Sequence, residues 1–226
     1  MSDALYQLDG DHGSRRELPA VTRAEKTRRW LQDHRRDVFV KRAAQEGYRS
    51  RAAYKLAEID DRDRIFAPGQ VVVDLGAAPG GWSQLAAART RPGGRVIAID
   101  ALAMDPLPGV EFIRGDFRER EALERLEGAL EGRAVDLVLS DMAPNMTGIR
   151  ASDQARAMAL AELALEFADR HLAPGGSLLV KVFQGADYPA FLDAMKRRCR
   201  ETKVRKPEAS KRRSAEHYLL GRGFAI

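Results

Sequence analysis

The chain predicts an α/β fold: a doubly wound, mostly parallel sheet of seven strands with helices on both faces. Three observations carry that expectation. Short apolar runs recur between residues 71 and 183, and most close on an aspartate. Helix-like segments separate them, and such alternation implies parallel strands joined by crossovers. A glycine-rich turn, Gly76 to Gly81, lies between the first strand and the helix after it.

The elements follow in order. Residues 1–25 show no hydrophobic period and are expected to form a flexible tail, with residues 26–226 as one domain. Thr27 to Asp61 reads as a helical extension ahead of the sheet, with Val38, Val40, Tyr54, Leu56 and Ile59 apolar among many charges. Pro68-Gly69 supplies a turn. VVVDLG (71–76) is a buried-strand pattern, and GWSQLAAART (81–90) is helical. RVIAID (95–100), EFIRGD (111–116) and VDLVLSD (135–141) repeat the strand form. Ser152-Asp153 is a candidate cap for a helix running through Met158, Leu163 and Phe167 to His171, stopped by Ala173-Pro174-Gly175-Gly176. GSLLVKVF (176–183) is the fifth strand, YPAFLDAMKRRCR (188–200) a helix, TKVRKP (202–207) the sixth strand and HYLLGRGFAI (217–226) the seventh.

Composition narrows the function classes. A single cysteine, Cys199, excludes an internal disulfide, and with four scattered histidines it makes no zinc site, so no metal is expected. The longest apolar stretches are strand-sized, and the first residues lack the basic start and apolar run of a signal peptide. These features point to a cytoplasmic protein. Residues 14–55 and 196–213 hold 23 of the 38 lysines and arginines against seven acids, whereas residues 56–195 carry a net charge of −8. Basic flanks around an acidic middle suit a polyanionic partner, because clustered cations displace counterions from phosphates. Two solvated helix faces are the plainer alternative.

The motifs gather at one place. In doubly wound sheets ligands bind beyond the carboxyl ends of the strands. Asp74, Asp100, Asp116 and Asp141 close or nearly close four apolar runs, so all four are expected to face one crevice. The turn DLGAAPGGW (74–82) fits dinucleotide binding, methyl-donor binding or plain turn chemistry, since glycine lets backbone approach a ligand. Asp100 suits the two hydroxyls of a ribose, and Asp116 the exocyclic amine of an adenine. An acid after each of the first three strands leaves little room for a second phosphate, which favours a ligand with one nucleoside. Lys181 interrupts the apolar run of a central strand, and buried lysines are rare unless paired or functional. Asp141, on the neighbouring strand, is its natural partner.

With these motifs in order, the chain resembles the RlmE/FtsJ family of ribosomal RNA large-subunit (uridine-2′-O-)-methyltransferases. The stretches that carry the resemblance are WLQDH, RSRAAYKLAEID, VVVDLGAAPGGWSQ, GDF, SDMAPNMTG, LAPGGSLLVKVFQG and VRKP, covering about residues 28–221. The resemblance implies a Rossmann-like fold, S-adenosylmethionine as methyl donor and ribosomal RNA as the partner, with the protein monomeric. It places a Lys-Asp-Lys-Glu reaction centre on Lys55, Asp141, Lys181 and Glu216, and donor contacts on Gly80, Trp82, Asp100, Asp116 and Asp141. Glu216 sits in the least distinctive segment, and the first 25 residues match nothing in the family. Lys181 then acts as the base or orients an oxygen lone pair, and Trp82 contacts the donor or fills core.

Three rivals remain. The same chemistry on transfer RNA is one, and an RNA-binding assembly factor without catalysis is a second. A nicotinamide dehydrogenase is the third. The basic residues expected to hold RNA phosphates are Arg28, Arg29, Arg35, Arg36, Arg49 and Arg51 on one flank. On the other they are Lys196, Arg197, Arg198, Lys211, Arg212 and Arg213.

Overall fold

The computed structural model describes residues 37–210 and 214–225. The expected tail and the start of the helical extension lie outside them, and Val38–Ile226 make one compact unit. Seven strands among the described residues form a single sheet in the order β3-β2-β1-β4-β5-β7-β6. They are β1 (Val71–Leu75), β2 (Arg95–Asp100), β3 (Val110–Arg114), β4 (Val135–Ser140), β5 (Leu172–Phe183), β6 (Cys199–Arg205) and β7 (Glu216–Phe224). The first five pair in parallel, while β7 runs antiparallel to both β5 and β6. The expected fold class therefore holds, and the strand order reverses between β1 and β4, the usual place for a ligand crevice.

Helices cover both faces. On one side α2 (Ala52–Asp63) and α3 (Gly81–Arg89) bury Leu56, Ile59, Trp82 and Leu85 against Leu139, Leu179, Tyr218 and Leu220. On the other, α4 (Arg120–Leu130), α5 (Arg150–His171) and α6 (Tyr188–Arg198) pack Leu126, Phe167 and Phe191 against Val138, Val180 and Val182. Alternation along each strand sends successive side chains to these two layers.

Four expectations need correction. The helical extension is broken: α1 (Val38–Gln45) ends at Gly47, whose φ of +75° leaves the helical region, and α2 begins anew at Ala52. Val38 is not a core position, being 72% exposed. Helix α4 was not expected, although Ala122, Leu126 and Leu130 recur every four residues and are its buried face. Ser152 and Asp153 do not precede α5 but sit in its first turn. From there the Asp153 carboxylate accepts from the Thr147 N–H at 2.8 Å, the Thr147 hydroxyl at 2.7 Å and the Gly148 N–H at 2.9 Å. These bonds tie the loop before α5 to the helix's first turn, and among the described residues no side chain caps the helix's own first N–H groups.

Candidate active site

The carboxyl edge of the sheet brings the predicted residues together. Lys181 on β5 is buried, and its Nζ lies 3.1 Å from Asp141 Oδ1 just past β4, while also donating to the Asp141 carbonyl. Lys55 on α2 donates to Glu216 Oε1 at 2.6 Å at the start of β7. The residue that joins the two ion pairs is Tyr218. Its hydroxyl donates to Asp141 Oδ1 at 2.7 Å and accepts from Lys55 at 3.2 Å, and Glu216 Oε1 lies 3.3 Å away. Lys55 also stands over the Tyr218 ring, 5.6 Å from its centroid. Ser210 adds a hydroxyl to Glu216 Oε1 at 3.0 Å.

The antiparallel pairing of β5 with β7 explains this geometry. Lys181 lies opposite Tyr218 and Phe183 opposite Glu216, so all four side chains share one face of the sheet. Sequence reasoning missed Tyr218 because a tyrosine in an apolar strand reads as core. The available signal was its spacing of two from Glu216, which puts both on one face.

The electrostatics follow from the charges. Burial disfavours the Asp141 carboxylate, but Lys181, Lys55 and the Tyr218 hydroxyl outweigh it and hold the carboxyl below the usual carboxylate range. Burial, with the nearby Asp141 and Glu216 charges, pushes the Tyr218 phenol well above its ordinary value, so it remains a neutral donor.

Beside this cluster lies the glycine turn. Gly80 has φ +106°, a conformation other residues rarely adopt, and starts α3. A Cβ there would stand 2.7 Å from Met104 Sδ and 2.9 Å from Leu107 Cδ1. The loop after β2 thus closes onto the turn, leaving a cradle that only a bare backbone fits. Asp100, ending β2, accepts the Ala78 N–H at 2.9 Å and the Leu102 N–H at 2.7 Å, one on each oxygen. Each oxygen keeps a lone pair for a further donor. Asp116, beyond β3, is forked by Arg118, whose Nη2 reaches Oδ2 at 2.6 Å and holds the carboxyl below its usual range. The Trp82 indole is spent inside the protein: its N–H donates to the Ala52 carbonyl at 2.8 Å, and its ring tilts against Tyr218. Only its backbone, in the first turn of α3, remains for a ligand.

Asp74 does not face the crevice as expected. It is fully buried within β1, where Oδ2 accepts the Ser83 hydroxyl at 2.6 Å and Oδ1 has no partner among the described residues. Burial pushes its carboxyl up to about 7, against the Ser83 hydrogen bond and helped by the charges of Asp141 and Asp100. A carboxyl raised above its unfolded value of about 3.9 binds its proton more tightly in the folded state. Stability is then lost as pH rises from about 4 through about 7. Asp74→Asn, which keeps the shape without titrating, is expected to gain on the parent as pH rises from about 5 to about 8. Tm measured for both proteins across that range checks this, and a gap that stays constant with pH would show that Asp74 is not the titrating group.

Several of the basic flank residues also bond within the protein. Arg49 donates to the carbonyls of Asp105 and, at 2.7 Å, Pro106, and Arg51 donates to the Ala209 carbonyl, so both guanidinium groups hold the fold together. Arg198 is paired with Asp169 at 2.7 Å. Lys196 and Arg197 lie exposed in the last turn of α6. Arg28, Arg29, Arg35, Arg36, Lys211, Arg212 and Arg213 lie outside the described residues. Among the described residues no cluster of His, Cys, Asp or Glu could hold a metal, and no helix is long and apolar enough to cross a membrane.

Comparison with known proteins decides the family. The profile of the FtsJ-like methyltransferases matches residues 48–224, a span that contains every site residue named above. The chain belongs to the FtsJ-like methyltransferases. Among relatives of this FtsJ-like chain, the ribosomal RNA large subunit methyltransferase E of an Azoarcus species is 58% identical over 201 residues, covering 89% of this chain and 98% of the relative. The protein of the same name from Chromobacterium violaceum is 55% identical over 203 residues, covering 90% and 99%. The crystal structure of a ribosomal RNA methyltransferase from Plasmodium falciparum superposes with a TM-score of 0.70 at 29% identity, covering 78% of this chain and 98% of that one. The resemblance seen in the motifs and the family are thus one.

Proposed function

We propose that this FtsJ-like methyltransferase moves the methyl group of S-adenosylmethionine to the ribose 2′-hydroxyl of a uridine in the 23S RNA of the large ribosomal subunit. The observation that carries the reading is the chain of contacts Lys181–Asp141–Tyr218–Glu216–Lys55, set at the edge of the sheet beside the glycine cradle. The relatives' names supply the RNA.

The crevice fits the donor by the chemistry of its residues. Asp100 offers lone pairs to a ribose diol, Asp116 to an adenine amine, and Gly80 with the Trp82 backbone admits close approach. When bound, the donor supplies a methyl carbon on a positively charged sulfur, already electrophilic. The protein's share is to align the acceptor oxygen with that carbon and to manage its proton. Lys181 is the group placed to accept or orient that proton. Asp141 fixes the Lys181 Nζ in direction and its carboxylate borders the donor side. Lys55 and Glu216 hold the far side of the ribose, and Tyr218 locks the two pairs into one unit.

Three results test this. Mapping 2′-O-methyl groups in RNA from cells with and without the protein should show one uridine of the large-subunit RNA unmethylated in its absence. A site lost from transfer RNA instead would establish the rival substrate, and no lost site would favour a binding factor. Asp100→Ala is expected to weaken donor binding about tenfold or more through lost charge-assisted hydrogen bonds, each worth roughly 1.5–3 kcal/mol. Calorimetric titration reads this directly, and unchanged affinity would make Asp100 a strand-ending residue alone. For the RNA, Lys196→Ala with Arg197→Ala should reduce the dependence of affinity on salt without altering donor affinity. Parallel salt slopes would mark this end of α6 as solvated surface.

A further inference from the structure

The loop that joins β2 to β3, residues 101–109, has few hydrogen bonds of its own among the described residues. Leu102 donates to the Asp100 carboxylate at one end, and Val110 donates to the Leu107 carbonyl at the other. Pro106 and Pro108 have no N–H to give. Between those ends, the hydrogen bonds that reach residues 103–106 among the described residues come from one side chain, Arg49. Its Nη1 donates to the Asp105 carbonyl and its Nη2 to the Pro106 carbonyl at 2.7 Å, while Nη1 also lies 3.4 Å from the Pro79 carbonyl. Two consecutive carbonyls taken by the two arms of one planar group suit a guanidinium fork and not a point cation.

The loop is held where a ligand would feel it. Met104 Sδ and Leu107 Cδ1 stand 2.7 and 2.9 Å from the point that a Gly80 Cβ would occupy, and Arg49 Cδ stands 3.2 Å from it. Gly80 is thus covered by the loop and by the stem of the residue that holds the loop. The other side of this brace is fixed as well. The Arg49 N–H donates to Gln84 Oε1 at 3.2 Å, and Gln84 Nε2 donates to the Gly47 carbonyl at 2.8 Å, which pins residues 47–49 to α3. Among the described residues no carboxylate pairs with Arg49, so its contacts in the fold are directional bonds to backbone.

We propose that Arg49 is a positioning residue for the methyl donor, a strap that holds the β2–β3 loop closed over the glycine cradle before the donor arrives. Without it, a loop so sparsely bonded would order only on binding, and the cost of ordering would come out of the affinity. With the strap in place, that ordering is already complete in the free protein. The loop begins at Asp100 and folds back over Gly80, so holding it also fixes these two residues relative to each other. The inference rests on the proposed use of S-adenosylmethionine.

The test compares the full chain with Arg49→Ala and Arg49→Lys. Lysine keeps the charge and much of the stem but not the fork, so both variants should bind S-adenosylmethionine about tenfold or more weakly by calorimetry. Hydrogen exchange in the donor-free variants should be faster at the amides of residues 103–105 and 107, and unchanged in β1 and β4. With large-subunit RNA and saturating donor, kcat should stay within about twofold of wild type while KM for the donor rises. Donor affinity within about twofold of wild type in either variant would overturn the proposal. A loss confined to RNA affinity would also overturn it, leaving Arg49 a phosphate contact. Faster exchange throughout the sheet would do the same, by making Arg49 a general prop of the fold. A wild-type protein that binds no S-adenosylmethionine would instead overturn the proposed activity, and the strap's purpose with it.

Discussion

Lys181→Ala is expected to lower methyl transfer by about 10²- to 10⁴-fold, the usual contribution of a positioned proton-transfer group, while donor affinity stays within about twofold. The reason is geometric. Lys181 is buried at the sheet edge, and its Nζ is held from two directions, by the Asp141 carboxylate and by the Asp141 carbonyl. Removing it leaves the Asp141 carboxylate still paired with Tyr218, so the donor side of the crevice keeps its shape. Lys181→Met, which retains the apolar stem, separates loss of the amine from loss of packing. Turnover with labelled donor and calorimetry on both variants give the answer. Retention of more than about a tenth of the wild-type rate, a barrier change below roughly 1.4 kcal/mol, would remove Lys181 from the reaction centre.

Asp141→Asn should be the most damaging change to the site as a structure. Among the described residues the carboxylate is the only acid on Lys181, whose side chain is 7% exposed, and it anchors the Tyr218 hydroxyl as well. Breaking a buried pair on one side strands the other charge, at a cost of about 3–5 kcal/mol. In a domain of this size that corresponds to a Tm lower by on the order of 10 °C. The pH dependence identifies the cause. The folded carboxyl is held below its unfolded value, so its contribution is complete above about pH 4 and disappears as pH falls toward the folded value. The gap between parent and variant should therefore be widest at neutral pH and close in acid. A gap independent of pH would point to packing instead of charge.

How much of this was written locally in the chain differs from element to element. Strands β1 to β4 were legible because each is a short apolar run with its own turn, and Asp100, Asp116 and Asp141 mark their ends. The pairing of Lys181 with Asp141 followed from one lysine out of place. Pairing between distant segments was not legible. The antiparallel insertion of β7 next to β5 brings Glu216 to Lys55 across 161 residues of chain, and only that register puts Tyr218 between the two ion pairs. Nor does composition tell whether a cation also holds the fold. Arg49 and Arg51 give N–H groups to backbone carbonyls, one of them tying the N-terminal helices to the loop over Gly80. Asp74 misled in the opposite sense, because an acid inside a strand and an acid at its end look alike in a run of letters.

The place of β7 in the sheet has a consequence for the birth of the enzyme. It is synthesised after β6, yet it lies between β5 and β6, and β6 pairs with no other strand. A growing chain that has emerged as far as Arg205 holds Lys55, Asp141 and Lys181 but neither Glu216 nor Tyr218, and its sheet ends in an open edge at β5. The Lys181–Asp141–Tyr218–Glu216–Lys55 chain of contacts closes only when the last strand is in place. Chains cut short before Glu216, whether by a stalled ribosome or by a protease, are therefore expected to be inactive, with β6 left without its partner and an unpaired edge offered to other strands.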